Sequence, residues 1–350
     1  MDRTRVAIIF GGCSPEYGVS LQSAHAVISH LPPERYELIL LGITRQGEWR
    51  RYYGDISAIP DDRWHLDAAA CVPAIISPDR HTGGIIEFEG ERCRFTPVDA
   101  AFPVLHGKNG EDGTVQGLIA LAGIPLVGCD TLSSALGMDK HRAHKLAAAQ
   151  GIAVPAGTVL TGRCDDAARR TQTAHLKYPL FVKPVKAGSS LGISRIESPE
   201  QLAAAVKLAL EHDDEVIIEE SVPGFEVGCA VLGHDELLLG LPDEIELSHG
   251  FFDFTEKYSL QNSRIHMPAR IDPDTAERVR QTAAAIYQAL GCTGFARVDM
   301  FLTPDGGIVF NEVNTIPGFT AHSRYPNMMR GIGLSFTELL ERLIALGMAR

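Results

Sequence analysis

Two apolar runs near the end of the chain, Gly294 to Leu302 and Gly307 to Val313, are joined by a Pro304-Asp305-Gly306 turn and carry carboxylates within them. Such a turn between such runs predicts a hairpin. The neighbours Val298, Met300, Val309, Phe310 and Val313 predict a largely buried sheet. Arg297-Val298-Asp299 on one strand then approaches Asn311-Glu312-Val313-Asn314 on the other. Glu312 and Asn314 are two positions apart and share a face. Carboxylates in a buried sheet need a cation. Three oxygen ligands on adjacent strands suit Mg²⁺, which also takes phosphate oxygens and water. The bland alternative is the polar face of a solvated hairpin.

The rest of the chain alternates strand-like and helix-like segments. Arg5 to Phe10 is a continuous apolar run closed by Gly11-Gly12, as a buried parallel strand would be. A helix over Val19 to His30, strands at Tyr36 to Ile43 and Ala100 to Leu105, and a helix over Thr114 to Ala122 follow. This alternation predicts a small doubly wound α/β domain. Residues 48–94 read as loops and a peripheral hairpin, with no functional signal. The middle third is α+β. A helix over Asp139 to Gln150 ends at Gly151, and strands Leu180 to Lys183 and Val216 to Glu219 flank a Gly/Ser loop. Ser198-Pro199-Glu200-Gln201 reads as a capping box opening a helix to Glu211. The last third begins with strands Glu226 to Leu232 and Leu237 to Leu239, then the irregular stretch Ser248 to Ser263, a candidate lid. Asp272-Pro273 opens a helix with the apolar face Ala276, Val279, Ala283, Ile286 and Leu290. Ser335 to Glu338 is a second capping box before a terminal helix.

A chain of 350 residues is long enough for two or three domains. Its net charge of −12 argues against nucleic-acid or anionic-membrane partners, so any phosphate-binding lysines and arginines must be gathered locally. The seven cysteines are scattered without a CxxC pair, which speaks against zinc and for free thiols in a reducing cytoplasm. No signal peptide or membrane span is visible.

Four segments carry chemistry besides the opening hairpin or share in it. Lys183-Pro184 precedes Lys186-Ala187-Gly188-Ser189-Ser190-Leu191-Gly192, a loop open enough to wrap phosphates with backbone N–H groups. It is not a Walker A sequence. Lys140, opening a helix, is a second phosphate candidate; alone it reads more readily as a surface lysine. Gly11 to Glu16 lacks GxGxxG spacing, which speaks against a nicotinamide site; Glu16 suits either an ammonium group or the helix dipole. His106 to Gly113 is a tight polar loop at a strand end, where α/β domains place ligands.

Taken in order, these motifs, with Met138-Asp139-Lys140, Glu219, Glu226, Lys257-Tyr258 and Asn311 to Ser323, resemble the D-alanine–D-alanine ligase family of the ATP-grasp superfamily. The resemblance spans residues 5 to about 345. Within the family it is closest to the G-type D-alanine–D-serine ligases of glycopeptide resistance. It implies an ATP-grasp fold after a small α/β domain: a Rossmann-like substrate domain over 1–128, a central subdomain over 129–219, and a C-terminal subdomain over 220–350. It implies ATP and two Mg²⁺ (or Mn²⁺) held by Asp299, Glu312 and Asn314. Lys140, Lys183 and Ser190 would face the phosphates, Glu219 and Glu226 the adenine and ribose. Glu16 and Ser189 would hold the first D-alanine, with His106 on its carboxylate side. Tyr258 would bond with Glu16 and Ser189, beside Lys257. Arg297 and the Gly318 N–H would face the oxyanion, and Ser323 the second carboxylate. A homodimer is implied as well. Gly18 departs from the glutamate usual in the family. Arg324, Asp243 and Phe252 match the D-serine type: Arg324 and Asp243 would pair to fix a polar end for serine, and Phe252 would close the apolar side. Keeping Lys257-Tyr258 speaks against D-lactate. The rivals are a housekeeping D-alanine–D-alanine ligase and a non-catalytic nucleotide-binding relative.

Overall fold

The computed structural model describes residues 3–162, 164–188, 191–247, 263–320 and 322–349. Three sheets organise the chain. The first contains β1 (Thr4–Gly11), β2 (Tyr36–Ile43), β3 (Trp49–Tyr52), β4 (Cys71–Ile76), β5 (Gly84–Glu89), β6 (Arg92–Pro97) and β7 (Ala100–Val104), in the order β6-β5-β4-β3-β2-β1-β7. β1 pairs in parallel with both β2 and β7. Its apolar run is unbroken because both faces are covered. Val6, Ile8 and Phe10 pack on the side of helix α1 (Tyr17–His30), while Ala7 and Ile9 pack on the side of α2 (Thr114–Ala122).

Residues 48–94 hold the expected peripheral hairpin, β5 with the start of β6 at the sheet edge, but carry further strands where loops were expected. They hold β3, β4 and β5 and the start of β6, antiparallel strands added to the edge of the sheet. Trp64 from this stretch is fully buried, edge-on to Phe10 at 5.0 Å. It lies over Gly42, where a Cβ would come within 2.3 Å of the indole.

Helices α3 (Thr131–Met138) and α4 (Lys140–Ala149) lead to the second sheet. Its strands are β8 (Gly157–Thr161), β9 (Leu180–Pro184), β10 (Ser194–Ile196) and β11 (Glu215–Glu220), in the order β10-β9-β11-β8. Helices α5 (Asp166–Thr173) and α6 (Leu202–Ala209) accompany it. The capping box expected at Ser198 does not form. Pro199–Gln201 is a 3-10 turn, and Gln201 Oε1 accepts from Glu197 N at 2.6 Å, one residue before the position a box requires. The box at Ser335 and Glu338 does form.

The third sheet contains β12 (Phe225–Gly233), β14 (Asp243–Leu247), β15 (Ser263–His266), β16 (Gly294–Leu302) and β17 (Ile308–Asn314), in the order β15-β14-β12-β16-β17, with β13 (Leu237–Leu239) also on β12. Helix α7 (Pro273–Ala289) packs Val279, Ala283 and Ile286 against Val227, Cys229, Val231 and Val298. The other face of β12 and β16 joins the core of the first sheet through Phe295, Phe319 and helices α8 (Arg324–Gly331) and α9 (Phe336–Met348). Among the described residues no helix is long and apolar enough to cross a membrane.

Candidate active site

Strand register builds one wall of the site. Asp243 on β14 pairs with Gly228 on β12, Gly228 with Asp299 on β16, and Asp299 with Glu312 on β17. Cross-strand partners share a face, so these four positions form a row across the sheet. Arg297 and its partner Asn314 form the next row. A bulge follows Asp299, because its register partner is Glu312 while Met300 pairs with Phe310. The carbonyl of the extra residue, Asn311, faces His144 Nε2 at 2.7 Å. Bulges of this kind re-aim side chains next to sites.

Charge along the row is balanced by two arginines. Arg297 donates to both oxygens of Asp299, at 2.7 to 3.1 Å. Arg324 places Nε and Nη2 on the two oxygens of Asp243, each at 2.7 Å. Its Nη1 lies 2.9 Å from Glu226 and 3.2 Å from Asp299. Burial alone would weaken the Arg324 charge, but Asp243 and Asp299 hold its pKa well above the ordinary arginine value. Gly228 makes this possible: a Cβ there would lie 2.3 Å from Arg324 Nη2 and 2.8 Å from Asp243 Oδ1. The expected Arg324–Asp243 pair is therefore present and buried. Glu226, which the resemblance places near a nucleotide, has its carboxylate on Arg324 here.

The row opens into a cavity of about 650 Å³. Its far wall comes from the first sheet. Glu16, at the N-terminus of α1, is buried, and its carboxylate fills space that a side chain on Gly107 or Gly188 would occupy. A Cβ on Gly107 would lie 2.6 Å from Glu16 Oε2, and one on Gly188 3.0 Å from it. His106 is buried, its Nδ1 2.9 Å from Ile316 O, and burial lowers its pKa. Glu111 Oε2 accepts from Gly107 N at 2.7 Å and Oε1 from Ile316 N at 3.2 Å. In the sequence it is no more than one member of a polar loop. Burial, then the charge of Glu16, pushes its carboxyl up to about 8. An acid raised in the folded state contributes stability that is complete below its unfolded pKa and lost as pH rises through the folded one. Glu111 should therefore contribute stability that is lost between about pH 4.5 and 8, and Glu111→Gln should remove that contribution. Denaturant melts at both ends of this window test it; equal slopes in the two proteins would contradict the assignment.

Of two lysines from the middle of the chain, Lys140 lines the cavity and Lys183 does not. Lys140 donates to Ala187 O at 2.8 Å, on the Gly/Ser loop, and lies 3.6 Å from Glu312. Lys183 pairs with Glu219 at 2.7 Å, and His144 Nδ1 lies 3.0 Å from the same carboxylate. Burial would raise Glu219, but Lys183 and His144 hold it well below the usual carboxylate range. Ser323 Oγ accepts from Thr320 N at 2.9 Å at the start of α8, and Gly318 lies against it. Ser189, Ser190, Phe252, Lys257 and Tyr258 lie outside the described residues, as does most of the Ser248 to Ser263 stretch.

Among the described residues no group of three or more His, Cys, Asp or Glu side chains is arranged to hold a metal ion. The expected set is two carboxylates and an amide. Mg²⁺ commonly takes only one or two protein carboxylates and completes its shell with water and phosphate. The adjacency of Asp299, Glu312 and Asn314 on β16 and β17 fits that donor set.

Two antiparallel sheets, with Lys140 reaching the acidic and basic row on one of them, follow a small α/β layer, the architecture of an ATP-grasp ligase. The chain belongs to the D-alanine–D-alanine ligase family: the family model for the D-ala D-ala ligase N-terminus matches residues 5–129, and that for the C-terminus residues 146–345. It is similar to the crystal structure of the VanG D-Ala:D-Ser ligase from Enterococcus faecalis, with 56% identity, a TM-score of 0.93 and coverage of 99% of this chain and 100% of that one. It is 45% identical to the vancomycin B-type resistance protein VanB of Enterococcus faecalis over 100% of both chains. It is also 45% identical to a putative D-alanine–D-lactate ligase of Streptomyces coelicolor over 99% of both.

Proposed function

We propose that this protein uses ATP to join D-alanine to a second D-amino acid, D-serine, for peptidoglycan precursors that confer glycopeptide resistance. The carrying observation is the Arg324 guanidinium, held by Asp243 and Glu226 on the cavity wall next to Ser323. A site with oriented polar groups selects a hydroxyl-bearing substrate better than an apolar one can.

The chemistry has two steps. The first D-alanine carboxylate attacks the γ-phosphorus of ATP, ADP leaves, and an acyl phosphate forms. The amine of the second substrate then attacks the acyl carbon, and phosphate leaves as the amide forms. Glu16 holds the first ammonium group, with Ser189 alongside and His106 toward the carboxylate. Lys140 and Lys183 offset phosphate charge, Ser190 contacts it, and Glu219 orients the nucleoside, while Glu226 holds Arg324. Asp299, Glu312 and Asn314 would hold two Mg²⁺, which supply Lewis-acid charge for phosphoryl transfer. Arg297 and Gly318 N–H face the oxyanion between attack and collapse. Ser323, at the N-terminus of α8, receives the second carboxylate. Lys257, Tyr258 and Phe252 close the site, and Tyr258 bonds with Glu16 and Ser189. The protein acts in the cytoplasm as a homodimer, divided near residues 128 and 219.

ADP release measured with D-alanine and D-serine, and product identified by mass spectrometry, tests this. D-alanyl-D-serine should form only with ATP and a divalent cation. ATP turnover without any dipeptide would overturn the proposal.

A further inference from the structure

The loop carrying Gly318 is tied from both sides by residues of the first layer. Ile316 N donates to Glu111 Oε1 at 3.2 Å, and Ile316 O faces His106 Nδ1 at 2.9 Å. Pro317 has no N–H. Phe319 N donates to Ser23 Oγ at 3.2 Å, and Thr320 N to Ser323 Oγ at 2.9 Å. Among the described residues, Gly318 is the one position from 316 to 320 whose backbone N–H exists and meets no acceptor. It lines the cavity.

The ties are directional. Ile316 O can only accept, so His106 Nδ1 carries the proton and neutral Nε2 is an acceptor. Ser23 Oγ, 3.3 Å from Nε2, therefore donates to His106 while accepting from Phe319 N–H. Ser23 sits fully buried on α1, and Phe319 is fully buried with its ring 5.9 Å from Phe102 and 5.4 Å from Phe295. The backbone on either side of Pro317-Gly318 thus has little freedom, although no hydrogen bond from the first layer reaches Gly318 itself.

We infer that Ser23 and Glu111, acting with His106, are positioning residues that aim the Gly318 N–H at the oxyanion. This rests on the ligase reading above. Ser23→Ala removes the acceptor for Phe319 N–H and the donor to His106. Glu111→Gln acts on the other flank: its amide has one acceptor oxygen for two N–H donors.

The test measures kcat, KM for both amino acids, and affinity for a tetrahedral phosphinate dipeptide analogue in the full-length wild type and both variants. A donor displaced by a fraction of an ångström costs rate rather than ground-state binding. Each variant should lose roughly tenfold to a hundredfold in kcat, keep KM within about twofold, and lose phosphinate affinity by the same factor as kcat. Unchanged kcat in either soluble variant, or a loss confined to KM with phosphinate affinity intact, would overturn the inference. Should Ser23→Ala not fold, Glu111→Gln decides alone. A wild type that makes no dipeptide would instead sink the ligase reading and the inference with it.

Discussion

Glu312→Gln should leave the fold intact and stop dipeptide synthesis. Glu312 ends the row Asp243–Gly228–Asp299–Glu312, is half-buried, and lies 3.6 Å from Lys140. The amide matches the carboxylate in shape but not in charge. A ligand shared between two cations loses most of its value when neutralised, and several kcal/mol of lost charge stabilisation is roughly a thousandfold or more in rate. The fold should survive because Asp243 and Asp299, not Glu312, carry the arginine contacts of the row. Asp299→Asn should be nearly as inactive but less stable, since Arg297 and Arg324 both lean on that carboxylate. Rate and melting temperature should be read on the same preparations. Near-wild-type dipeptide synthesis by Glu312→Gln would remove the two-metal assignment.

Arg324→Leu should lower stability by about 3–5 kcal/mol, the cost of leaving buried carboxylates without their partner. Sequence alone suggests a milder outcome, with D-serine turnover reduced and D-alanine turnover spared. Geometry changes that expectation. One guanidinium serves Asp243, Glu226 and Asp299, so its removal disturbs the metal side of the site as well. Selectivity is better read in Arg324→Lys, which keeps the charge and loses the planar two-point contact with Asp243. That variant should remain folded and lose about 1.5–3 kcal/mol of preference for D-serine, on the scale of a charged hydrogen bond. A D-serine to D-alanine ratio equal to wild type in a folded Arg324→Lys protein would separate Arg324 from substrate choice.

Much of this site was legible where chemistry follows local spacing. A hairpin turn and an i, i+2 step are enough to bring Asp299, Glu312 and Asn314 together. The Arg324–Asp243 pair was legible through the resemblance, which puts Arg324 beside the second-substrate site and marks Asp243 as the anion a buried guanidinium there needs. The full row was not, since Asp243, Gly228 and Asp299 are aligned by pairing between strands distant in sequence. Glu226 is expected, through the resemblance, on the adenine and ribose side, whereas the fold puts its carboxylate on Arg324. Ser23 hides inside the ordinary pattern of α1, and Glu111 inside a glycine-rich loop. Strand β8 and helix α5 escape notice for a different reason. The strand is five residues long, and the helix, Asp166–Thr173, is almost wholly polar and buries only Thr173. Residues 48–94 hide their strands because short segments paired at a sheet edge leave weak alternation, although Trp64 and Gly42 fit one another closely.

The central claim is the second substrate, and a competition assay tests it directly. The wild-type protein is given ATP, Mg²⁺ and equal concentrations of D-alanine, D-serine and D-lactate, and the products are resolved by mass. D-alanyl-D-serine should dominate, with D-alanyl-D-alanine a minor product and D-alanyl-D-lactate least. Dominance of D-alanyl-D-alanine or of the D-lactate ester would contradict the account.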